Sequence, residues 1–145
     1  MSAAIYSVAP QQEAAVNALL AEKRISLPRP QWKSTTVLDT FDGRLHARGW
    51  RLEVVAGHLR LRNDAPMEVD LAGRPAPRTV DDVRDVTLRQ LLAPVVGDRA
   101  LLPLAVVLSF SASGTGGGLT ITRHERVHVE GHPDMRGVLL EVAAL

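Results

Sequence analysis

A strand followed by a tight hairpin is the feature of this sequence that most restricts its fold. Residues 34–40 are rich in β-branched side chains and lead into a turn. Residues 50–55 and 58–62 then flank Ala56-Gly57, where glycine supplies the backbone angles that a tight turn needs. The sequence therefore predicts antiparallel strands in this half of the chain.

The second strand of the hairpin, Leu59-Arg60-Leu61-Arg62, alternates apolar and cationic side chains. Because neighbouring side chains of a strand point to opposite faces, we expect the leucines to face a core and Arg60 and Arg62 to share the other face. If that face lines a closed or nearly closed barrel, the two guanidiniums form a phosphate clamp, since their planar forks match phosphate oxygens. Periodicity alone also allows a solvated edge strand with ordinary surface arginines.

The remaining segments predict two helices and further strands. Helical spacing of apolar residues favours helices at residues 10–24 and from Val83 to Gly97. Further strands are predicted at residues 5–8, 67–71, 102–111, 119–122, 127–129 and 137–142. Short connections make most of the pairing antiparallel. We therefore expect an α+β fold, an antiparallel, curved or closed and tunnel-like β-barrel of about eight strands with two or more flanking helices.

Two loops are predicted near the C-terminal strands. Residues 113–118 contain four glycines and favour a flexible hairpin tip. They lack the Gly-Lys-Ser/Thr of a nucleotide phosphate loop, and no helix is predicted after them. A second hairpin is predicted around Arg123-His124-Glu125.

Composition excludes several classes of function. The chain has 145 residues, a length that fits one domain. Its formal net charge is +1, so no overall electrostatic field attracts it to nucleic acid or membranes. Aromatic residues make up only 3%, too few for a platform that stacks single-stranded nucleic acid. The sequence contains no cysteine, which excludes disulfides and thiolate metal sites and fits a cytoplasmic location. No secretory signal or apolar stretch long enough to span a bilayer is expected.

Three segments resemble the CYTH domain family of triphosphate tunnel enzymes, in particular the CYTH part of bacterial CYTH-CHAD proteins. The segments are Leu38-Asp39-Thr40-Phe41-Asp42-Gly43-Arg44-Leu45, Gly57-His58-Leu59-Arg60-Leu61 and Arg99-Ala100-Leu101-Leu102-Pro103-Leu104-Ala105. The resemblance implies a tunnel of eight antiparallel strands whose interior basic residues grip a triphosphate, with magnesium or manganese held by acidic residues at its mouth. It also implies a single CYTH-like domain over residues 1–145, either a natural short form or one without the C-terminal element of the family.

The chain departs from the family where metal is bound. The Glu-x-Glu-x-Lys strand of the family falls near residues 3–8, which hold no acidic side chain. The paired glutamates of the closing strand are reduced to Glu141, the one metal candidate. Basic residues of the family are replaced at Glu53, Val55, Ser109 and Ser111. Because phosphoryl chemistry with hard cations needs several converging carboxylates, we expect a domain that has lost catalysis and needs magnesium or manganese only if activity survives.

The resulting hypothesis is a binding module for phosphate-rich anions such as polyphosphate, triphosphate or nucleotide phosphates. The expected contacts are Arg51, Arg60, Arg62 and Arg126. The alternative is a structural, oligomerisation or protein-interaction domain without a small ligand, and an unpaired sheet edge would favour a homo-oligomer. A metal-dependent triphosphatase is the third reading. Nucleic acid and membranes are not expected partners.

Two further groups of residues are interpreted without a functional role. His124, His128 and His132 are spaced by four, but the region is predicted as strand and turn, so surface histidines are favoured over a metal site. Asp39 and Thr40 follow a strand, where a short acidic side chain caps the amides after it, so both are expected to be structural.

Overall fold

The computed structural model describes residues 4–133 and 137–144, which contain eight strands and three α-helices. Along the chain these are β1 (Ala4–Val8), α1 (Glu13–Glu22), β2 (Gln31–Asp39), α2 (Arg44–Ala47), β3 (Arg51–Val55), β4 (His58–Arg62), β5 (Met67–Asp70), α3 (Val86–Val96), β6 (Leu102–Gly116), β7 (Leu119–Val129) and β8 (Val138–Ala144). Single turns of 3₁₀ helix, Pro10–Gln12 and Val80–Asp82, precede α1 and α3. None of the helices in the described part of the chain is long and apolar enough to cross a membrane.

The strands form one sheet in the order β1-β8-β7-β6-β2-β3-β4-β5. Strand β1 pairs antiparallel with β8, β8 with β7, and β2 to β5 pair antiparallel in sequence order. Within the described residues no ladder joins β1 to β5, so hydrogen bonds do not close the sheet. The predicted α+β fold with eight antiparallel strands and flanking helices is confirmed.

The chain divides into two compact units. The central unit is residues 34–107, and the terminal unit combines residues 1–33 with residues 108–145. Each has a hydrophobic core of its own. The single domain expected from chain length stays a prediction.

In the central unit, α3 packs on the leucine face of the β3–β4 hairpin. Leu59 and Leu61 are 1% and 0% exposed, and Leu88 and Leu92 of α3 are completely buried against the same cluster. The helix begins where Asp85 accepts a hydrogen bond from the Leu88 amide at 2.9 Å, which satisfies one of the amides that a first turn leaves unpaired. The predicted core face of Leu59 and Leu61 is therefore confirmed.

In the terminal unit, α1 packs on the sheet formed by β1, β8 and β7. Its core contains Val8, Leu20, Ile25, Ile121 and Leu140. Burial of these side chains requires the even positions of β1 and β8 and the odd positions of β7 to share one face, as the period of a strand demands.

Two local predictions were wrong, one in β7 and one in the glycine-rich segment at residues 113–118. Strand β7 runs through Arg123-His124-Glu125 without a turn and pairs with β8 as far as His124. The polar run that indicated a turn is a strand with polar side chains on both faces. Residues 44–47 form the short helix α2, an element that the sequence analysis does not predict.

The glycine-rich segment is also more regular than predicted. Gly114 and Gly116 belong to β6, and only Gly117 and Gly118, with φ of 57° and 76°, form the turn. A Cβ on Gly114 would lie 2.4 Å from the carbonyl oxygen of Ser26, which is closer than atoms can approach. These glycines therefore allow the chain after α1 to lie directly on β6.

Replacing Gly114 with Ala tests this close approach. The added methyl group has to displace the backbone at Ser26, so we expect Gly114→Ala to lower the free energy of unfolding by about 1–3 kcal/mol, measured by urea denaturation. Gly118→Asn is the control, since no atom lies within 4 Å of its Cβ position and Asn tolerates positive φ. Equal losses in the two variants would contradict this explanation, because Gly118 makes no such close approach.

Candidate functional site

The β3–β4 hairpin places four charged side chains on the face opposite the leucine core. The register pairs Arg51 with Arg62 and Glu53 with Arg60. Cross-strand partners share a face, and both pairs alternate with buried leucines. The predicted common face of Arg60 and Arg62 is thus present, and Arg51 lies on it as well.

The four side chains form a compact ion cluster around one carboxylate. Oε1 of Glu53 lies 2.8 Å from Nε of Arg62 and 3.2 Å from Nε of Arg51. Its other oxygen, Oε2, accepts a hydrogen bond from Nη2 of Arg60 at 3.4 Å. We call Arg51, Glu53, Arg60 and Arg62 the arginine cluster. Three cations and one anion give it a formal charge of +2.

Exposure differs sharply within the arginine cluster. The Glu53 side chain is 2% exposed, whereas those of Arg51, Arg60 and Arg62 are 49%, 29% and 31% exposed. Solvent therefore reaches the guanidiniums but not the carboxylate between them. A buried carboxylate without partners would be very costly, and three ion pairs offset that cost, although the buried Oε1 makes no hydrogen bond within the described residues.

The guanidiniums have more donors than Glu53 can accept. A carboxylate offers about four lone-pair positions, while three guanidiniums carry roughly fifteen N–H groups. Within the described residues neither the buried Nε of Arg60 nor the buried Oε1 of Glu53 has a hydrogen-bond partner, so geometry as well as number limits the bonds inside the cluster. Glu68 of β5 lies opposite Arg60 in the register and is exposed, which moderates the local charge. Chemically, the arginine cluster is a partly neutralised set of donors for oxyanions.

The terminal unit carries a second polar row, on the face of β6, β7 and β8 opposite its core. The Ser109 hydroxyl lies 2.6 Å from Nδ1 of His124, and Nε2 of His124 lies 3.4 Å from Oε2 of Glu141. Ser113 and Thr122 hydroxyls are 2.8 Å apart. A neutral imidazole protonated on Nε2 donates to Glu141 and accepts from Ser109. This row joins hydroxyl, imidazole and carboxylate, and the sequence does not predict that Ser109, His124 and Glu141 meet.

Arg126, the fourth predicted anion contact, lies two residues after His124 on β7 and so on the same face of the terminal unit. His128 follows on that face. His132 lies beyond the strand in a turn, where its amide donates a hydrogen bond to the Val129 carbonyl at 3.0 Å. The roles of the four arginines as anion contacts stay predictions.

The described residues do not fit the magnesium or manganese site that the CYTH resemblance implies. They contain no group of three or more His, Cys, Asp or Glu side chains that could hold a metal ion. Glu141, the metal candidate, is instead paired with His124. Hard cations need several oxygen ligands, and no catalytic step through a metal is derived for this chain.

The turn after β2 is held by Asp39, which is 5% exposed. Its Oδ1 accepts hydrogen bonds from the amides of Thr40 at 2.7 Å and Leu45 at 2.9 Å, and its Oδ2 accepts from His46 at 3.1 Å. The carboxylate therefore caps the turn and the start of α2 together, which is the structural role expected from the sequence. Its neighbour Asp42 has its pKa lowered by the hydrogen bond from the Thr40 hydroxyl and then by Arg44.

A cavity of about 530 Å³ lies on the leucine side of the central unit. Its wall includes Leu59, which points away from Arg60, and Val69, Leu71 and Val83. Two acidic residues in its wall bind backbone amides. Asp82 accepts hydrogen bonds from the amides of Arg78 and Thr79, and Asp85 accepts one from the first turn of α3. This cavity is separated from the arginine cluster by the strand itself.

Comparisons with known proteins identify the fold but no family. No protein-family model matches the sequence, and no curated protein matches it. Among solved structures, a putative adenylate cyclase from Bacillus halodurans is similar with a TM-score of 0.55 and 12% identity, over 97% of this chain and 78% of that one. The PH1819 protein of Pyrococcus horikoshii OT3 is similar with a TM-score of 0.53 and 14% identity, over 100% of this chain and 78% of that one. At these identities the likeness shows a common fold.

The structural role of Asp39 predicts a stability defect without a binding defect. Asp39→Ala leaves three amides without their acceptor, so we expect a loss of about 1–3 kcal/mol in the free energy of unfolding, measured by urea denaturation at pH 7. Asp42→Ala, the control in the same turn, should lose less because its carboxylate is exposed.

Acidification tests the contacts of Asp42. A lowered pKa means that Asp42 contributes stability above its ordinary pKa near 4, and that this contribution disappears as the pH falls through the lowered value. Asp42→Ala should therefore flatten the acid limb of the stability curve. An unchanged acid limb would contradict the assignment of the Thr40 and Arg44 contacts.

Proposed function

We propose that this chain is a CYTH-like domain that binds phosphate-rich anions, with Arg51, Arg60 and Arg62 as the principal contacts. The ligands of this class are triphosphate, polyphosphate and nucleotide phosphates. The observation that carries the proposal is the formal +2 charge of the arginine cluster, in which three partly exposed guanidiniums surround a buried carboxylate. Phosphate groups would supply negative charge to the exposed side of these guanidiniums.

Guanidinium chemistry supports phosphate over other anions. A guanidinium presents parallel N–H donors that match two oxygens of one phosphate, and a pair of them can hold neighbouring phosphates of a chain. The common fold with a putative adenylate cyclase supports a nucleotide phosphate as one member of the class. Arg126 is proposed as a further contact in the terminal unit. A cysteine-free sequence supports a cytoplasmic site of action.

Catalysis is not part of the proposal. Hydrolysis of a triphosphate with hard cations needs converging carboxylates, and the carboxylate nearest the arginines, Glu53, is enclosed by them. Binding through arginines alone is expected to weaken with ionic strength, because the guanidiniums are partly exposed to solvent.

A thermal-shift experiment with tripolyphosphate tests the proposed ligand class. At a hundred times its dissociation constant, a ligand stabilises the wild type by about 2.7 kcal/mol, which is visible as several degrees. We expect the shift to vanish in Arg60→Ala/Arg62→Ala, with each protein measured against its own midpoint without ligand. The shift should also shrink at high salt and should not need magnesium.

The double variant Arg74→Ala/Arg84→Ala is the matched control. It removes the same formal charge from side chains that line the cavity on the leucine side. It should keep the shift, because its arginines do not belong to the cluster. An equal loss in both double variants would reduce the effect to net charge, and no shift in the wild type would refute the proposed ligand class.

A homo-oligomer is the second candidate, favoured by strand β1. In the described residues β1 pairs only with β8 and lies at the end of the sheet order, and its Ile5 and Tyr6 are 62% and 56% exposed. An unpaired strand edge with exposed apolar side chains is a template for a second copy of the chain. This candidate does not exclude anion binding.

Light scattering after size exclusion tests this second candidate. We expect twice the monomer mass for the wild type and the monomer mass for Tyr6→Lys, since a lysine blocks pairing at an edge. Phe41→Lys is the control, because Phe41 is the most exposed of the large apolar residues that the structure describes, at 92%, and lies outside β1. A monomeric wild type at all concentrations would contradict the proposal.

A further inference from the structure

The arginine cluster contains its own anion. Glu53 occupies the position at which the donors of three arginines converge, and it is 2% exposed. Like charges at this spacing repel one another, so an anion has to lie between the guanidiniums for the cluster to be stable. The chain supplies that anion from the middle of β3, directly opposite Arg60 in the register.

We infer that Glu53 is an internal competitor of the ligand, which sets the charge that a ligand needs in order to bind. This inference rests on the proposed function and names its specificity. A ligand oxygen and the Glu53 carboxylate compete for the N–H donors and the positive charge of the same guanidiniums. A monovalent anion therefore gains little binding free energy there. A chain of phosphates engages the outward N–H groups of several arginines together and gains from each.

The geometry distinguishes this role from that of an ordinary surface salt bridge. An exposed pair contributes little and leaves both partners solvated. Here the carboxylate is buried while its three partners remain 29–49% exposed, so the side of the cluster that solvent reaches is cationic. The buried Nε of Arg60 and the buried Oε1 of Glu53 both lack a hydrogen-bond partner in the described residues, so the cluster leaves one donor and one acceptor unsatisfied in its interior.

Glu53→Gln tests the inference, because it removes the charge and keeps the shape. We expect tripolyphosphate, measured by isothermal titration calorimetry at low salt with a chelator present, to bind at least about tenfold more tightly than to the wild type, a change of about 1.4 kcal/mol. We expect inorganic phosphate to bind measurably to the variant and not to the wild type. Without any anion, Glu53→Gln should unfold at a lower urea concentration, and tripolyphosphate should restore the midpoint.

Glu68→Gln is the matched control. It makes the same change of formal charge on β5, also opposite Arg60, but at an exposed carboxylate. It should change tripolyphosphate affinity by much less than Glu53→Gln. Equal tightening in both variants would overturn the inference, because the general field of the protein would then account for the effect.

The outcomes separate this inference from the proposed function. Binding to the wild type that Glu53→Gln leaves unchanged or weakens overturns the inference and keeps the proposed function. Binding to Glu53→Gln alone supports the inference and refutes anion binding by the native chain, and binding to neither protein refutes both. If Glu53→Gln does not fold alone, refolding in tripolyphosphate but not in sodium chloride supports the inference, and failure in both overturns it.

Discussion

The backbone of the two-residue turn at Ala56-Gly57 is the constraint on which the central unit depends. Both residues have positive φ, 49° and 77°, the combination that matches the twist of a hairpin. A turn of two residues fixes the register of the strands beside it, and a slip by one residue would exchange the two faces of β4. The turn thereby decides that Leu59 and Leu61 enter the core and that Arg60 meets Glu53.

This register places three arginines on one face of the hairpin and also places the glutamate that neutralises part of their charge there. Side chains of Arg51, Arg60 and Arg62 would repel one another on a common face, and a glutamate in their midst would be costly to bury alone. Together they form a cluster in which each charge has an opposite neighbour. The leucine face then packs on α3 without interference from the charges, because the strand separates the two environments.

Period-two alternation was enough to predict which face of β4 carries the arginines, and the residue types around Ala56-Gly57 were enough to predict the hairpin. The partner of Arg60 was within reach as well, since a turn at residues 56 and 57 pairs Glu53 with Arg60 by counting. The contact between Ser109 and His124 was not, because it depends on how β6 lies beside β7. Counting from Gly117-Gly118 would place Ser109 opposite Arg126, whereas its hydroxyl contacts the histidine two residues earlier.

Contacts between residues that are distant along the chain also explain the wrong predictions at the glycines and in β7. Gly114 indicates flexibility when only its neighbours in sequence are considered. In the structure its lack of a side chain leaves room for the carbonyl oxygen of Ser26, a residue distant along the chain. The polar run at residues 123–125 resembles a turn for a similar reason, since its long-range partners on β8 and on α1, such as Glu13 beside Arg123, are invisible locally. Local patterns therefore predict elements and faces, while the partners that give a polar residue its role come from the register.

Glu53 shows why a shared fold does not carry function with it. The two similar structures have 12% and 14% identity to this chain, a level at which the backbone arrangement persists while individual side chains change freely. One acidic residue in the middle of a basic hairpin is a small change for the fold, because burial and three ion pairs accommodate it. For an oxyanion site it is a large change, because it lowers the formal charge from +3 to +2 and occupies the point at which the donors converge. The anion binding proposed for this protein therefore depends on Glu53 and its arginines, and not on the sheet that holds them.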